Sequence, residues 1–348
     1  MANKKQMIIN ILDILKRYTD EDHRLSQKEI ADILKNEYNM TVDRKSVKRN
    51  LSNLLEIGYP IEYSESVRMI PNKTTGELEE SYILSDFYLE RDFSDAELRL
   101  LIDSLLFSKH IPYNQCRNLI EKLEGLSSKY FEAKVKHIRT LDSNQPANKQ
   151  LFYTIDILDE AISLSRKVAF HYLEYGTDKK LHKKMRPDGI VREYIISPYQ
   201  MAAKEGKYYL ICNYDKYDDI SNYRIDRIAD IKILDEQAKP FEKLKWSNGR
   251  TLDLAEYMRA HPYMYSSENV HVKFRISRAM ISDMIDMFGS DVRFSDEDES
   301  GVTVSTVTNE MAAEQFAKNF SPDVVVLEPQ ELRNRLKDNL EKSLRFYK

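Results

Sequence analysis

The stretch Thr41–Ile57, TVDRKSVKRNLSNLLEI, carries two patterns at once. Val47, Leu51 and Leu54 recur at helical spacing and make a narrow apolar stripe. Arg44, Lys45, Lys48 and Arg49 crowd the first turns on other faces, and Pro60 bars continuation of the helix. Just upstream, Ser26-Gln27-Lys28-Glu29 has the form of a capping box and opens a second helix reaching to about Tyr38, with Ile30, Ala31 and Leu34 inward. Two short helices, the second with a basic front half, are the arrangement by which a helix-turn-helix enters the major groove. The expectation is a protein that binds double-stranded DNA. Lys45, Ser46, Arg49 and Asn50 are expected at base edges, since arginine suits guanine and asparagine adenine. Arg44, Lys48 and Lys73 complete the expected DNA contacts, with Lys48 and Lys73 on phosphates. Against this stands the ordinary reading of a charge run, a solvated helix face.

Working outward, Met7, Ile8, Ile11, Leu12 and Leu15 form the inner face of a first helix. After the basic helix, Ile61–Tyr63 and Ser81–Leu84 read as two short strands around a polar turn at Pro71–Gly76, a wing beside the helices. Leu98, Leu101, Leu105 and Leu106, then Cys116, Leu119, Ile120 and Leu123, give two connector helices, and SNQPANK at 143–149 is the linker. A helix from Leu151 to about Ser165 leads into a β-rich region ending near Leu234. There Val168, Phe170 and Tyr172 alternate with Ala169, His171 and Leu173, and a lysine-rich loop follows a turn at Gly176. Val191–Ser197, Gln200–Ala203, Lys207–Asn213, Tyr223–Arg227 and Ile231–Leu234 read as further strands, enough for a small bent barrel. The remainder, with a strand at Val270–Ile276 and helices at Ala279–Phe288, Asn309–Asn319 and Pro329–Tyr347, reads as a compact α+β unit.

Bulk composition excludes several classes. A chain of 348 residues calls for two or three domains. Its net charge of −4 argues against a coat of basic residues but allows a local basic patch. Neither GxGxxG nor a Walker loop occurs, and there are no HExxH, paired CxxC or GxSxG motifs, so no cofactor, no metal and no catalytic residues are expected. Asp296–Glu299 lacks the spaced ligands of a calcium loop and reads as a solvated hairpin turn. Two distant cysteines, Cys116 and Cys212, point to buried thiols and a reducing cytoplasm. No apolar run is long enough to span a membrane.

Four motifs in the β-rich region together resemble the WYL domain of bacterial transcription regulators. They are Phe170-His171-Tyr172, Ser197-Pro198-Tyr199, Gly206-Lys207-Tyr208-Tyr209-Leu210 and Tyr223-Arg224-Ile225-Asp226-Arg227-Ile228. The name-giving Trp-Tyr-Leu stands here as Tyr208-Tyr209-Leu210. The segment before resembles the winged helix-turn-helix of such regulators, and the segment from Phe274 to Tyr347 their carboxy-terminal extension. The resemblance implies an α+β multidomain chain. It implies that residues 1–90 form a winged helix-turn-helix, 91–149 a helical connector and linker, 150–240 a leading helix and a Sm/SH3-like small β-barrel, and 241–348 a C-terminal α+β extension. It implies a homodimeric regulator whose WYL domain senses a nucleotide or single-stranded nucleic acid. The effector would meet His171, Tyr172, Ser197, Tyr199, Lys204, Lys207, Tyr209, Arg224 and Arg227. Two alternatives stay open for the arginines: this pocket, or an ion pair with Asp226, which shares a strand face with Arg224. Two other functions compete with effector-controlled DNA binding: an enzyme acting on nucleotides or nucleic acid, and a nucleic-acid-binding adaptor without an effector.

Overall fold

The computed structural model describes residues 4–71, 78–108, 111–131, 148–247 and 249–347. The chain divides into two compact units, Met1–Asn144 and Gln145–Lys348. Unit 1 begins with helices α1 (Lys4–Tyr18), α2 (Gln27–Tyr38) and α3 (Arg44–Ile57). Each helix end follows from a specific residue. The Ser26 hydroxyl accepts from the Glu29 N–H at 3.3 Å while the Glu29 carboxylate accepts from the Ser26 N–H at 2.7 Å. Asn39 ends α2 in the left-handed region, and Gly58 ends α3 at φ +95°. Ile11, Leu15, Ile30, Leu34, Val47 and Leu51 are buried in one core shared with Phe87 and Leu89. A side chain of this size contributes roughly 1.5–3 kcal/mol when fully buried.

Strands β1 (Ile61–Pro71) and β2 (Leu78–Leu89) pair antiparallel as a hairpin far longer than the two short strands expected. Its outer half is exposed on both faces, so no alternation marks it in the sequence. The Leu25 and Phe87 backbones exchange two hydrogen bonds of 2.9 Å, which tie the hairpin base to the start of α2. Helices α4 (Asp95–Leu106) and α5 (Tyr113–Glu124) enclose a small core of Leu98, Ile102 and Phe131. Both cysteines are buried, as expected.

Unit 2 opens with α6 (Leu151–Ser163) and the strands β3 (Arg166–Tyr175), β4 (Leu181–Lys183), β5 (Glu193–Lys204), β6 (Lys207–Tyr214), β7 (Ile220–Arg224) and β8 (Ile228–Gln237). Their order is β4-β3-β5-β6-β7, with β8 paired to β3. The expected small bent barrel is therefore corrected to an open sheet. Among the described residues no ladder joins β7 to β8, because Ile225–Arg227 forms a 3-10 turn between them. The two separate strands expected across Val191–Ala203 are one, β5, with a register shift between Pro198 and Gln200 that lets proline sit in the strand. The β5–β6 hairpin turns on Glu205 (φ +49°) and Gly206 (φ +71°), the pair of left-handed residues that a two-residue turn needs.

The rest of unit 2 comprises α7 (Leu254–Ala260), β9 (Asn269–Ile276), α8 (Ile281–Phe288), β10 (Arg293–Asp298), β11 (Gly301–Asn309), α9 (Glu310–Asn319), β12 (Val324–Glu328) and α10 (Gln330–Phe346). The sheet order is β10-β11-β9-β12. Its core gathers Phe274, Phe288, Phe316, Val304 and Leu332. At Gly301 (φ +148°) a Cβ would meet the Ile276 carbonyl oxygen at 2.1 Å, so the tight entry to β11 demands glycine. The acidic segment Asp296–Glu299 lies in the β10–β11 hairpin, where Asp298 accepts from the Ser300 N–H at 2.7 Å.

Candidate nucleic-acid interface and effector face

On α3 the apolar and basic patterns separate cleanly. Val47, Leu51 and Leu54 are buried, whereas Arg44, Lys45, Lys48 and Arg49 are exposed. At about 100° per residue the four cations fall within an arc of about 140° away from the core. No ion pair or side-chain hydrogen bond holds any of the four among the described residues. Asp43 caps the helix by accepting from the Ser46 N–H at 2.9 Å, and hydrogen bonding to Ser46, through its side chain first and its backbone second, holds the Asp43 carboxyl below the usual range. The unsatisfied N–H groups and positive dipole end of α3 lie beside these cations, which favours an anion there.

Asn50 departs from expectation. It is 7% exposed, and its amide donates to the Ser46 carbonyl at 2.7 Å and to the Met7 sulfur at 3.2 Å. One turn beyond Val47 and Ser46, it flanks the apolar stripe and seals the α1–α3 contact, so it is not at the surface that would read bases. Ser46 is half-buried, and Lys73 lies outside the described residues.

In unit 2 the expected effector residues divide into three groups. The first comes together. Tyr209 stands opposite Arg224 in the β6–β7 ladder, and the Tyr172 hydroxyl accepts from the Arg224 N–H at 3.2 Å. Arg224 grips Asp226 through two bonds, Nε at 3.0 Å and a terminal nitrogen at 2.6 Å, across the 3-10 turn. Burial alone would lower the arginine's pKa, and the Asp226 carboxylate more than reverses it. Arg227 carries its guanidinium 5.5 Å from the Tyr175 ring centre, and its buried Nε has no hydrogen-bond partner among the described residues. Lys204 and Lys207, paired across the Glu205–Gly206 turn, share the sheet face of Tyr209, and neither is held by an ion pair among the described residues.

The second group is turned to another task. Ser197 is fully buried and accepts from the Lys239 N–H at 2.9 Å, while the Tyr199 hydroxyl donates to the Lys239 carbonyl at 2.8 Å. The Tyr199 ring lies edge-on to Phe241. These two residues clamp segment 239–241 instead of lining a pocket. The third is His171. Neighbouring Tyr172 on β3, it projects to the opposite face and meets Asp230 at 3.1 Å, which also takes Lys183 at 2.6 Å.

The sequence reading missed an aromatic nest beside the cluster. The rings of Phe170, Tyr172, Tyr194 and Tyr223 sit 5.2–6.2 Å apart, and Arg192 lies over Tyr194 at 4.6 Å and Tyr214 at 5.4 Å. Tyr194 and Tyr214 occupy adjacent strands, and only the β5–β6 register, with its proline bulge, brings them under Arg192. Burial pushes the pKa of the Tyr172, Tyr194, Tyr209 and Tyr223 hydroxyls upward.

Residues 153–233 match the WYL domain and residues 268–344 the WCX domain. No curated protein matches the chain. Among solved structures, proteasome accessory factor B/C (PafBC) of Arthrobacter aurescens is similar at 14% identity and a TM-score of 0.29, over 99% of this chain and 49% of that one. A CRISPR Cas-related protein is similar at 14% identity and a TM-score of 0.37, over 99% of this chain and 85% of that one. The chain thus spans about half the length of the PafBC structure.

Proposed function

The chain carries a WYL domain followed by a WCX domain, and on that footing we propose that it is a DNA-binding transcription regulator controlled by an effector on its WYL sheet. The observation that carries the reading is the basic face of α3: four exposed cations without ion-pair partners among the described residues, on a capped helix that follows a second helix. In this reading α2 and α3 are the helix-turn-helix, and the β1–β2 hairpin is its wing. Lys45, Ser46 and Arg49 read base edges, while Arg44 and Lys48 hold phosphates. A homodimer would set two such helices about 34 Å apart, one duplex turn, and favour an inverted repeat.

The effector face is the Tyr172–Tyr209–Arg224–Arg227 cluster with Lys204 and Lys207 at its edge. Tyrosine rings stack on bases and guanidinium forks suit phosphates, so a nucleotide or single-stranded nucleic acid fits this chemistry. Such a ligand controls DNA binding only through different affinities for the two states of the protein.

The test is duplex binding by the Lys48→Ala/Arg49→Ala double variant across a salt titration. Loss of the phosphate-neutralising Lys48 should flatten the slope of log affinity against log salt by up to about 0.9, and loss of the base-reading Arg49 should weaken binding further at every salt concentration. A slope and affinity equal to wild type would remove α3 from the interface.

A further inference from the structure

The segment Gly176–Arg192, GTDKKLHKKMRPDGIVR, concentrates positive charge in a chain of net charge −4: six lysines and arginines stand against Asp178 and Asp188. The backbone holds this segment firmly. Gly176 and Lys180 close one turn (3.0 Å), and Arg186 and Ile190 close another (2.8 Å). Between the turns β4 pairs along β3 as the outermost strand of the sheet. The cations are sorted by their partners. Lys183 is bound to Asp230 at 2.6 Å, Lys184 to Glu174 at 3.5 Å, and Arg192 covers two tyrosine rings. Lys179, Lys180 and Arg186 are exposed, and no ion pair or side-chain hydrogen bond holds them among the described residues.

From this placement we infer that the 176–192 segment is a second DNA-contacting surface, which grips the sugar-phosphate backbone of a duplex. The inference rests on the DNA-binding reading proposed above and extends it to unit 2. Two features select a duplex. First, the 61–89 hairpin carries six carboxylates (Glu62, Glu65, Glu77, Glu79, Glu80, Asp86) against Arg68 and Lys73. A wing of that sign supplies no net attraction to phosphate, so any cations that add to those of α3 lie elsewhere in the chain. Second, segment 176–192 contains no Phe, Tyr or Trp. Single strands are held by rings on which unpaired bases stack. A duplex keeps its bases stacked internally and needs only cations at its backbone.

The experiment uses the full chain and the Lys179→Gln/Lys180→Gln/Arg186→Gln variant. Fluorescence anisotropy follows binding to a duplex of about 30 base pairs with random sequence, and to one of its single strands, across roughly 50 to 300 mM KCl. If all three cations touch phosphates, the duplex slope of log affinity against log salt falls by up to about 2.7, with binding weakened most at low salt. Unchanged thermal melting of the variant secures the fold. An unchanged duplex slope overturns the inference, whether or not single-strand binding falls. The Lys48→Ala/Arg49→Ala variant run alongside separates the two ideas. If that variant loses slope and the triple glutamine variant does not, only the second surface fails. A wild-type chain that binds no duplex at low salt sinks both.

Discussion

Arg224 and Arg227 stand three residues apart in the same motif and are held in opposite ways. Arg224 and Asp226 have side chains only 21% and 15% exposed, and each satisfies the other. Removing one partner leaves a largely buried charge alone, so Asp226→Ala should lower unfolding free energy by about 2–3 kcal/mol. Arg227 has an unpartnered Nε and one ring contact. Its truncation forfeits a cation–π contact worth about 0.5–1 kcal/mol, so Arg227→Ala should cost less than about 1 kcal/mol. Urea denaturation of both variants checks this, and an Arg227→Ala cost equal to that of Asp226→Ala would show that Arg227 is structural and not a free fork for a ligand. The sequence left both fates open for Arg224, because alternation on a strand puts it on the face of Asp226. It could not show that the chain leaves the strand at Ile225, which is what aims the two side chains at each other and sends Arg227 toward Tyr175. Asn50 illustrates the same limit: its chemistry suits an adenine edge, but its burial is decided by Met7 on another helix.

At the scale of elements, the helices of unit 1 were legible because their ends are written locally, in Ser26-x-x-Glu29 and in the Pro60 that bars α3 from continuing. The long hairpin was not. Its outer half is held by a ladder of backbone bonds and is exposed on both faces, so no buried face marks its length in the sequence. The bulge at Pro198–Gln200 likewise interrupts the apparent strand while the ladder continues. The α7 element carries a consequence for acid stability that only packing reveals. His261 follows this helix, 2% exposed, stacked on Tyr257 at 4.0 Å, with Nδ1 placed 2.9 Å from the Tyr257 carbonyl. Burial pushes its pKa down to about 4, although the backbone contact acts in the opposite sense. A histidine whose folded pKa lies below its unfolded value of about 6.5 stabilises the fold fully above that pH. The contribution is lost as pH falls from about 6.5 toward 4, up to about 3 kcal/mol. Denaturant melts across that window should show the loss in the wild type and a flatter profile in His261→Gln. An equally steep decline in the variant would assign the acid sensitivity to other groups.

At the scale of the whole molecule, the total charge conceals a division of sign. Among the described residues, positive charge without ion-pair partners gathers on α3 and at Lys179, Lys180 and Arg186 around β4, while the β1–β2 hairpin is acidic, with Val67, Met69, Leu78 and Tyr82 exposed along it. If the hairpin is a wing beside the recognition helix, its carboxylates lie within reach of the phosphate field and weaken binding. Glu65 and Glu80 are exposed and lie on the hairpin face shared with Val67, Tyr82 and Met69. Neutralising them as Glu65→Gln/Glu80→Gln should therefore tighten duplex binding by about two- to fivefold at low ionic strength, and the gain should shrink as salt shortens the screening length below about 10 Å. The measurement is duplex affinity for wild type and variant at several salt concentrations. A variant that binds no better at low salt would place the hairpin away from the duplex. The basic face of α3 would then stand without its wing, and the exposed apolar strip of the hairpin would call for a protein neighbour instead.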